Sequence, residues 1–302
     1  MRFIDRYFYK PSFLQKIISF ILLPISWLYC MASVLRRKIS RFADFKIPII
    51  SIGNLIAGGS GKTPFIMEIA KEYIDVAIIS RGYKRKSKGV VIVSQNGKII
   101  CTQKESGDEA YLMAKRLKNA SVIVSKNRNL GIQKAKEIGC KIIFLDDGFR
   151  FNFKKLNVLL KPKLEPYFRF CIPSGIYRER PSLYKTADIL AIEGIDYKRK
   201  VKIVNQTQRM LLVTAIANPS RLDEYLPNIV GKIILGDHSD FNIDKLQLEV
   251  QKHGATSILV TQKDEVKLKE CPIPISLIEL ELEINPTIKE AIAEYIHSQS
   301  NL

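Results

Sequence analysis

The sequence predicts an α/β protein: a parallel sheet flanked by helices, then a second, smaller α/β domain, with a membrane-associated helix ahead of both. Three observations carry this expectation. From residue 47 onward, short apolar runs alternate with segments of helical periodicity, the pattern of a parallel sheet covered on both faces. The first of those runs opens into a glycine-rich turn and then a helix. Near the N-terminus, a single apolar stretch lies between basic flanks. A chain of 302 residues is long enough for two domains with cores of their own.

Taken in order, residues 1–45 form the first region. Residues 17–35 read IISFILLPISWLYCMASVL, where Ser19, Ser26, Ser33 and the Tyr29 hydroxyl are the only polar side chains. About 20 apolar residues span a bilayer core as a helix, and Pro24 interrupts this run. Arg2, Arg6, Lys10 and Lys16 precede it, and Arg36, Arg37, Lys38 and Arg41 follow. Basic residues on both sides give no orientation under the positive-inside rule and do not suit a cleaved export signal. A helix lying in, or partly inserted into, one leaflet fits better, with Trp27 and Tyr29 at the interface.

Residues 46–205 read as the core domain. Strands are expected at Ile47–Ile52, Val76–Ser80, Val90–Val93, Ser121–Ser125 and Lys141–Leu145, and helices at Thr63–Tyr73, Glu109–Leu117 and Leu130–Ile138. Residues 161–187, rich in Pro, Arg and Tyr, read as irregular. The polar run Asp196–Lys202 marks the boundary to a smaller domain at 206–302. There the expected strands are Met210–Ile216, Lys232–Leu235, Ser257–Val260 and Ile275–Leu282, and the helices Leu222–Leu226, Ile243–His253 and Pro286–Ser298.

Lys and Arg number 48 against 30 Asp and Glu, a formal net charge of +18, which predicts attraction to nucleic acid, an anionic membrane or phosphorylated substrates. A composition of 46% hydrophobic and 26% charged residues excludes a disordered, collagenous or wholly membrane-embedded chain. The 5 cysteines are scattered without a C-x-x-C pair, and with 3 histidines a zinc site is not expected. The cysteines read as small hydrophobes in a reducing compartment.

The sharpest local signal is IISIGNLIAGGSGKTPFIMEIAKEY. Gly58, Gly59, Ser60 and Gly61 lead into Lys62 and Thr63, so backbone N–H groups converge on a phosphate at a helix N-terminus. Lys62 then reaches the β and γ phosphates, and the Thr63 hydroxyl ligates Mg²⁺. The strict pattern wants Gly at position 56, where this chain has Ile56. The apolar strand in CKIIFLDDGFR ends in Asp146 and Asp147, paired carboxylates at the end of a buried strand and suited to the metal. The sheet is therefore expected to be P-loop NTPase-like. The basic run Arg81, Lys84, Arg85, Lys86 and Lys88 is either a solvated loop or a contact for phosphate or anionic headgroups. Without aromatic interleaving beyond Tyr83, it does not suggest nucleic acid.

Further strings occur in fixed order with these: SRGYKRKSKG, GDEAYLMA, SKNR, IPSGIYRER, AIANP, DHSDF and TQKDEVK. Together they resemble the tetraacyldisaccharide 4′-kinases, the lipid A 4′-kinases of Gram-negative envelope biosynthesis, over almost the whole chain. The family's glycines are shifted in the same way, which accounts for Ile56. The resemblance implies transfer of the γ-phosphate of ATP to the 4′-hydroxyl of a lipid A disaccharide 1-phosphate, giving lipid IVA, with ATP and Mg²⁺ as cofactors. It further implies a peripheral or monotopic place on the cytoplasmic face of the inner membrane, and no nucleic-acid partner.

Carried over by residue, the resemblance makes Asp108 and His238 catalytic, together with Lys62 and Asp147. It makes Thr63, Asp146 and Asp147 metal ligands. Thr261, Lys263 and Asp264 lie near the nucleotide, and Arg178, Glu179 and Arg81 near the acceptor. Gln262, Arg180, Arg150 and Phe151 depart from the family pattern, as do Ser239 and Asp240 at variable positions, leaving only contacts around sugar and base in question. On this reading Asp108 takes the acceptor proton and His238 orients it, across a cleft between the two domains. The alternative is a membrane-associated P-loop ATPase or GTPase switch, since TQKD at 261–264 is superficially similar to a guanine-reading string.

Overall fold

A computed structural model describes residues 3–58, 61–216, 219–237, 239–268 and 271–300. Three helices come first: α1 (Phe3–Tyr9), α2 (Phe13–Ile21) and α3 (Leu23–Ile39). Where one interrupted helix was expected, α2 and α3 meet at a bend of 53°. Pro24 stands in the first turn of α3. Its ring cannot continue a helix but is well suited to start one. Ser12 and Gln15 form a capping box at the start of α2. No single helix is long and apolar enough to cross a membrane among the described residues, although the bent pair passes by length and composition.

The α2–α3 pair is turned inside out relative to a helix on a water-soluble core. Its buried residues are Gln15, Ser19 and Ser26, while Phe13 (77% exposed), Ile21, Trp27, Leu28 and Ile39 face outward. The serines explain which stripe faces inward, because buried polar groups need partners. The Ser19 hydroxyl donates to the Ser174 carbonyl (2.9 Å), the Ser174 hydroxyl to the Ser19 carbonyl (2.7 Å), and the Ser174 N–H to the Ser26 hydroxyl (2.8 Å).

The first sheet is built from β1 (Ile49–Gly53), β2 (Val76–Ser80), β3 (Val91–Gln95), β4 (Lys98–Ile99), β5 (Ala120–Val124), β6 (Ile142–Asp146), β7 (Leu156–Lys161) and β8 (Ile189–Ile192). Helices α4 (Lys62–Ala70), α5 (Gln103–Ser106), α6 (Asp108–Arg116) and α7 (Arg128–Glu137) connect them. The order is β4-β3-β5-β2-β6-β1-β7-β8, parallel from β5 to β8 with β3 and β4 antiparallel at one edge. β1, β2 and β5 are buried along their whole length. Alternate residues serve opposite faces: Ile50 and Ile52 pack with Phe65 and Ile66 of α4, whereas Ile49 packs with Ile132 of α7.

The second sheet holds β9 (Tyr197–Val204), β10 (Met210–Thr214), β11 (Ile229–Ile234), β12 (Ser257–Thr261) and β13 (Ile275–Ile284), in the order β11-β10-β12-β13-β9. It carries α8 (Ile243–Lys252), α9 (Gln262–Glu265) and α10 (Pro286–Ser300). The polar run expected to be a connector is most of β9, antiparallel to β13. Lys198, Lys200 and Lys202 stand opposite Glu283, Glu281 and Glu279, and such cross-strand charge pairs stabilise a solvated sheet face. The expected helix Leu222–Leu226 is a 3₁₀ stretch, Pro219–Tyr225.

The two sheets share a core. Ile288, Ile292 and Ile296 of α10, together with Leu282, Ile284 and Tyr197, join the cluster around Phe65. The Tyr197 ring meets Phe65 edge-on at 5.4 Å. Ion pairs from α6 also cross between the sheets, Lys115 to Glu265 at 2.9 Å and Arg116 to Glu279 at 2.7 Å.

Candidate active site

β1 and β6 are hydrogen-bonded neighbours, with Ile52 opposite Asp146, and the Asp147 N–H donates to the Ile52 carbonyl at 2.9 Å. Their carboxyl ends therefore bring the glycine-rich turn and the two aspartates into one crevice, the place where open parallel sheets bind ligands. Gly61 caps α4 in the left-handed region (φ +80°), which glycine adopts without Cβ strain. Gly58 lies at the other end of the turn, and Thr63, the second residue of α4, is half-buried. Gly59 and Ser60 lie outside the described residues.

Lys62 donates to Asn54 Oδ1 at 3.1 Å and lies 4.0 Å from Asp147 Oδ1. Arg178 grips both Asp147 oxygens at 3.0 Å and donates to Asn54 Oδ1 at 2.6 Å. Asn54 holds its own orientation by donating to the Ile56 carbonyl at 2.9 Å. Four residues from three chain segments thus form one polar knot at the mouth of the crevice. Asn54 had no assigned role in the sequence, although it stands in the SIGN string that led to the phosphate loop.

The two aspartates titrate far apart. Burial pushes the Asp146 carboxyl up to about 6, against the pull of Lys62 and with the help of Glu109 and Asp147. Burial works against Asp147 too, but Lys62 and Arg178 outweigh it and hold that carboxyl at about 2. Opposite-sign environments for adjacent acids divide their roles: Asp147 carries a firm negative charge, while Asp146 is buried and accepts from the Ser80 hydroxyl at 3.0 Å. Arg128, in the SKNR string, is 3% exposed and braces the turn beneath them, donating to the Asp146 carbonyl at 2.8 Å and to the Ser125 carbonyl.

Asp108 opens α6, where a carboxylate complements the helix dipole. Gly107 precedes it at φ +85°, and a Cβ there would come within 2.7 Å of the Tyr83 carbonyl, so the basic loop can press against the start of α6 only because this residue is glycine. Asp108 is 7% exposed. Gln103 donates to its Oδ1, and Lys267 Nζ lies 3.1 Å from its Oδ2. Lys267 also donates to the Ser239 carbonyl at 3.1 Å. Lys263 lies 3.7 Å from both Glu109 and Asp237, and Lys84 donates to the Asp237 carbonyl at 3.3 Å. His238 lies outside the described residues; its chain neighbours Asp237 and Ser239 are the ones held by these lysines.

The remaining expected site residues divide. Asp264 is fully buried and accepts from the Thr214 and Thr261 hydroxyls, each at 2.7 Å, and from the Ala215 N–H at 3.1 Å. Both its oxygens are used to tie the ends of β10 and β12 together, and Thr261 belongs to the same tie. Of that string, Lys263 faces the Asp108 region. Arg178 and Glu179, adjacent in sequence, point opposite ways. Glu179 is buried, accepts from the Ser33 hydroxyl of α3 at 2.6 Å and pairs with Arg150 at 3.1 Å. Arg37 of α3 lies over the Phe149 ring at 4.1 Å and donates to the Phe149 carbonyl at 3.3 Å. Arg81 is exposed, whereas Arg85 is bound to the Val124 carbonyl at 3.0 Å, so the basic run is part solvated and part structural.

A strand, a glycine turn and Lys-Thr opening a helix, set beside a buried acidic strand end, define a P-loop protein built to hold the phosphates of a nucleotide. The family of tetraacyldisaccharide-1-P 4′-kinases, LpxK, matches residues 18–208 and 196–297. A tetraacyldisaccharide 4′-kinase of Helicobacter acinonychis is 58% identical over 297 residues, covering 98% of this chain and 95% of that protein. One from Aliarcobacter butzleri is 46% identical, covering 98% and 97%. A crystal structure of LpxK from Aquifex aeolicus in complex with ATP superposes with a TM-score of 0.76 at 27% identity, covering 92% of this chain and 99% of that one. The chain belongs to the tetraacyldisaccharide 4′-kinase family.

Proposed function

We propose that this chain transfers the γ-phosphate of ATP to the 4′-hydroxyl of a tetraacyldisaccharide 1-phosphate, giving lipid IVA. The observation that carries the reading is the Lys62–Asn54–Arg178–Asp147 knot at the ends of β1 and β6, in a chain of this family. Incubation with γ-labelled ATP, with and without the lipid acceptor, tests it; label reaching only the lipid is expected. Nucleotide hydrolysis at the same rate without lipid would favour the switch reading instead. Against a GTPase form of that switch stands Asp264, whose buried oxygens are already taken by Thr214, Thr261 and the Ala215 N–H.

Phosphoryl transfer asks the protein mainly for positioning and charge stabilisation. Lys62 neutralises oxygens of the β and γ phosphates, and Arg178, released from Asp147, adds a second cation at the same mouth. Thr63, Asp146 and Asp147 offer hard oxygen donors, the set that suits Mg²⁺, and the firm charge of Asp147 fits a divalent ion. When bound, Mg²⁺ supplies further neutralisation of the phosphate charge. Asp108 accepts the proton of the acceptor hydroxyl, and His238 orients it. The second sheet, with β9 as its edge, acts as a smaller domain that brings Lys263 and Lys267 to the Asp108 region, with Asp237 and Ser239 held by these lysines.

A trade between stability and function follows for Asp146. Its carboxyl sits at about 6 in the folded chain against an ordinary 3.8. The favourable contribution is therefore present below about pH 4 and is lost as pH rises through 6, worth up to about 3 kcal/mol. Asp146→Asn, which keeps an acceptor for Ser80, is expected to raise Tm at pH 8 in metal-free buffer, with the difference closing by pH 4, while turnover collapses. Equal Tm values across that range would show that the buried charge costs nothing.

Membrane attachment is proposed for the outward apolar face of α2 and α3. Apolar side chains outside and serines inside are the arrangement expected of helices whose solvent on one side is lipid. Arg36 and Lys38, exposed in the last turn of α3, would meet anionic headgroups at about 1 kcal/mol each. The expected place is the cytoplasmic face of the inner membrane, peripheral or monotopic, where the lipid acceptor lies. Deleting these helices would also remove the Ser33–Glu179 and Ser19–Ser174 contacts, so outward charges are the cleaner test. Phe13→Asp, Ile21→Asp and Trp27→Asp together should move the protein from the membrane pellet to the supernatant with ATP binding retained. Continued sedimentation with membranes would assign attachment to another surface.

A further inference from the structure

A buried carboxylate without a counter-charge drifts toward its protonated form and then cannot accept a proton. Asp108 faces that problem, being 7% exposed. Among the described charged groups of this region, Glu109 on the same helix is negative and is met by Lys263, while Lys84 donates to the Asp237 carbonyl. Lys267 forms an ion pair with Asp108 itself, at 3.1 Å to Oδ2, with Gln103 on Oδ1. The Lys267 side chain is 3% exposed. Its other bond, to the Ser239 carbonyl, secures the segment next to His238, and its ammonium lies 6.0 Å from the Phe241 ring.

Packing does not account for a lysine here. Val266 and Leu268 on either side are buried and give this segment its apolar contacts, each in its own cluster. A buried ion pair is on average no more stabilising than apolar residues of the same volume. We propose that Lys267 is a positioning residue for phosphoryl transfer: it keeps the Asp108 carboxylate ionised and aimed, and ties it to Ser239 and Phe241, which follow β11 of the second sheet. The proposal rests on the reading of Asp108 as the base.

The test is the pH dependence of kcat/KM for lipid phosphorylation by the full chain, with Lys267→Met, Lys267→Arg and Asp108→Asn beside the wild type. In Lys267→Met the acid limb is expected to move up by about one to three units, with kcat reduced and KM for ATP unchanged. Lys267→Arg should restore the limb. A limb that stays in place, whatever the fall in kcat, overturns the proposal and leaves Lys267 a structural residue. Wild-type turnover in Asp108→Asn overturns the base assignment itself, a separate failure. Circular dichroism and ATP binding check the fold. Should Lys267→Met not fold, Lys267→Gln, which keeps a donor for Ser239 without the charge, is read in the same way.

Discussion

Lys62→Ala is expected to lower lipid phosphorylation by at least about 10²–10³-fold, the loss typical of removing one preorganised donor to developing charge. Two effects combine. The phosphate loop loses its only lysine, and Asp146 loses the charge that most strongly opposes its rise. Asp146 then spends more of its time protonated near neutral pH, which weakens it as an oxygen donor to a cation. The fold should survive, because Asn54 and Asp147 keep their bonds to Arg178. Initial rates in mixed micelles, with Tm as a control, measure the effect; turnover within tenfold of wild type would remove Lys62 from the phosphate site.

The second large effect is expected from Asp108 and His238. Asp108→Ala should cut turnover about 10²–10⁴-fold, the usual contribution of a general base. His238→Ala should cost less, since on the proposed reading it orients the base and does not take the proton first. The double variant should be little worse than Asp108→Ala alone, because groups that act as a unit are non-additive. ATP affinity should be nearly constant across the set. Rates for the two singles and the double decide the matter: losses that multiply would mean independent roles. Lys267 sharpens the expectation for Asp108→Ala, which leaves a buried ammonium without its carboxylate and should lower Tm as well as rate.

The phosphate loop was legible because its chemistry is local. Glycines, Lys62 and Thr63 are consecutive, and the strand before them is marked by continuous apolar residues. The Asp146–Asp147 pair was legible for the same reason, since an apolar strand that ends in two carboxylates sets charge at the rim where parallel sheets bind ligands. The roles of neighbours were not. Arg178 and Glu179 looked like one acceptor contact in sequence, yet they lie in a bend of the chain, so one reaches Asp147 and the other Ser33. Asp264 looked like a nucleotide contact, but its place in α9, directly after β12, puts it within hydrogen-bond reach of Thr214 at the end of β10.

By itself the sequence determined the alternation of strands and helices, the phosphate-binding turn, the acidic strand end and the apolar N-terminal stretch, because each is written in residues close along the chain. Tertiary structure alone decided what depends on partners distant in sequence. The run Asp196–Lys202 became part of a strand because the glutamates of β13 stand opposite its lysines. Serines set the inward stripe of α2 and α3 because Ser174 offers them hydrogen bonds. Helix α10 returned to the first sheet because Ile288, Ile292 and Ile296 find apolar cover there. Lys267 met Asp108 because the second sheet carries it across to the start of α6, and no spacing along the chain encodes that meeting of charges.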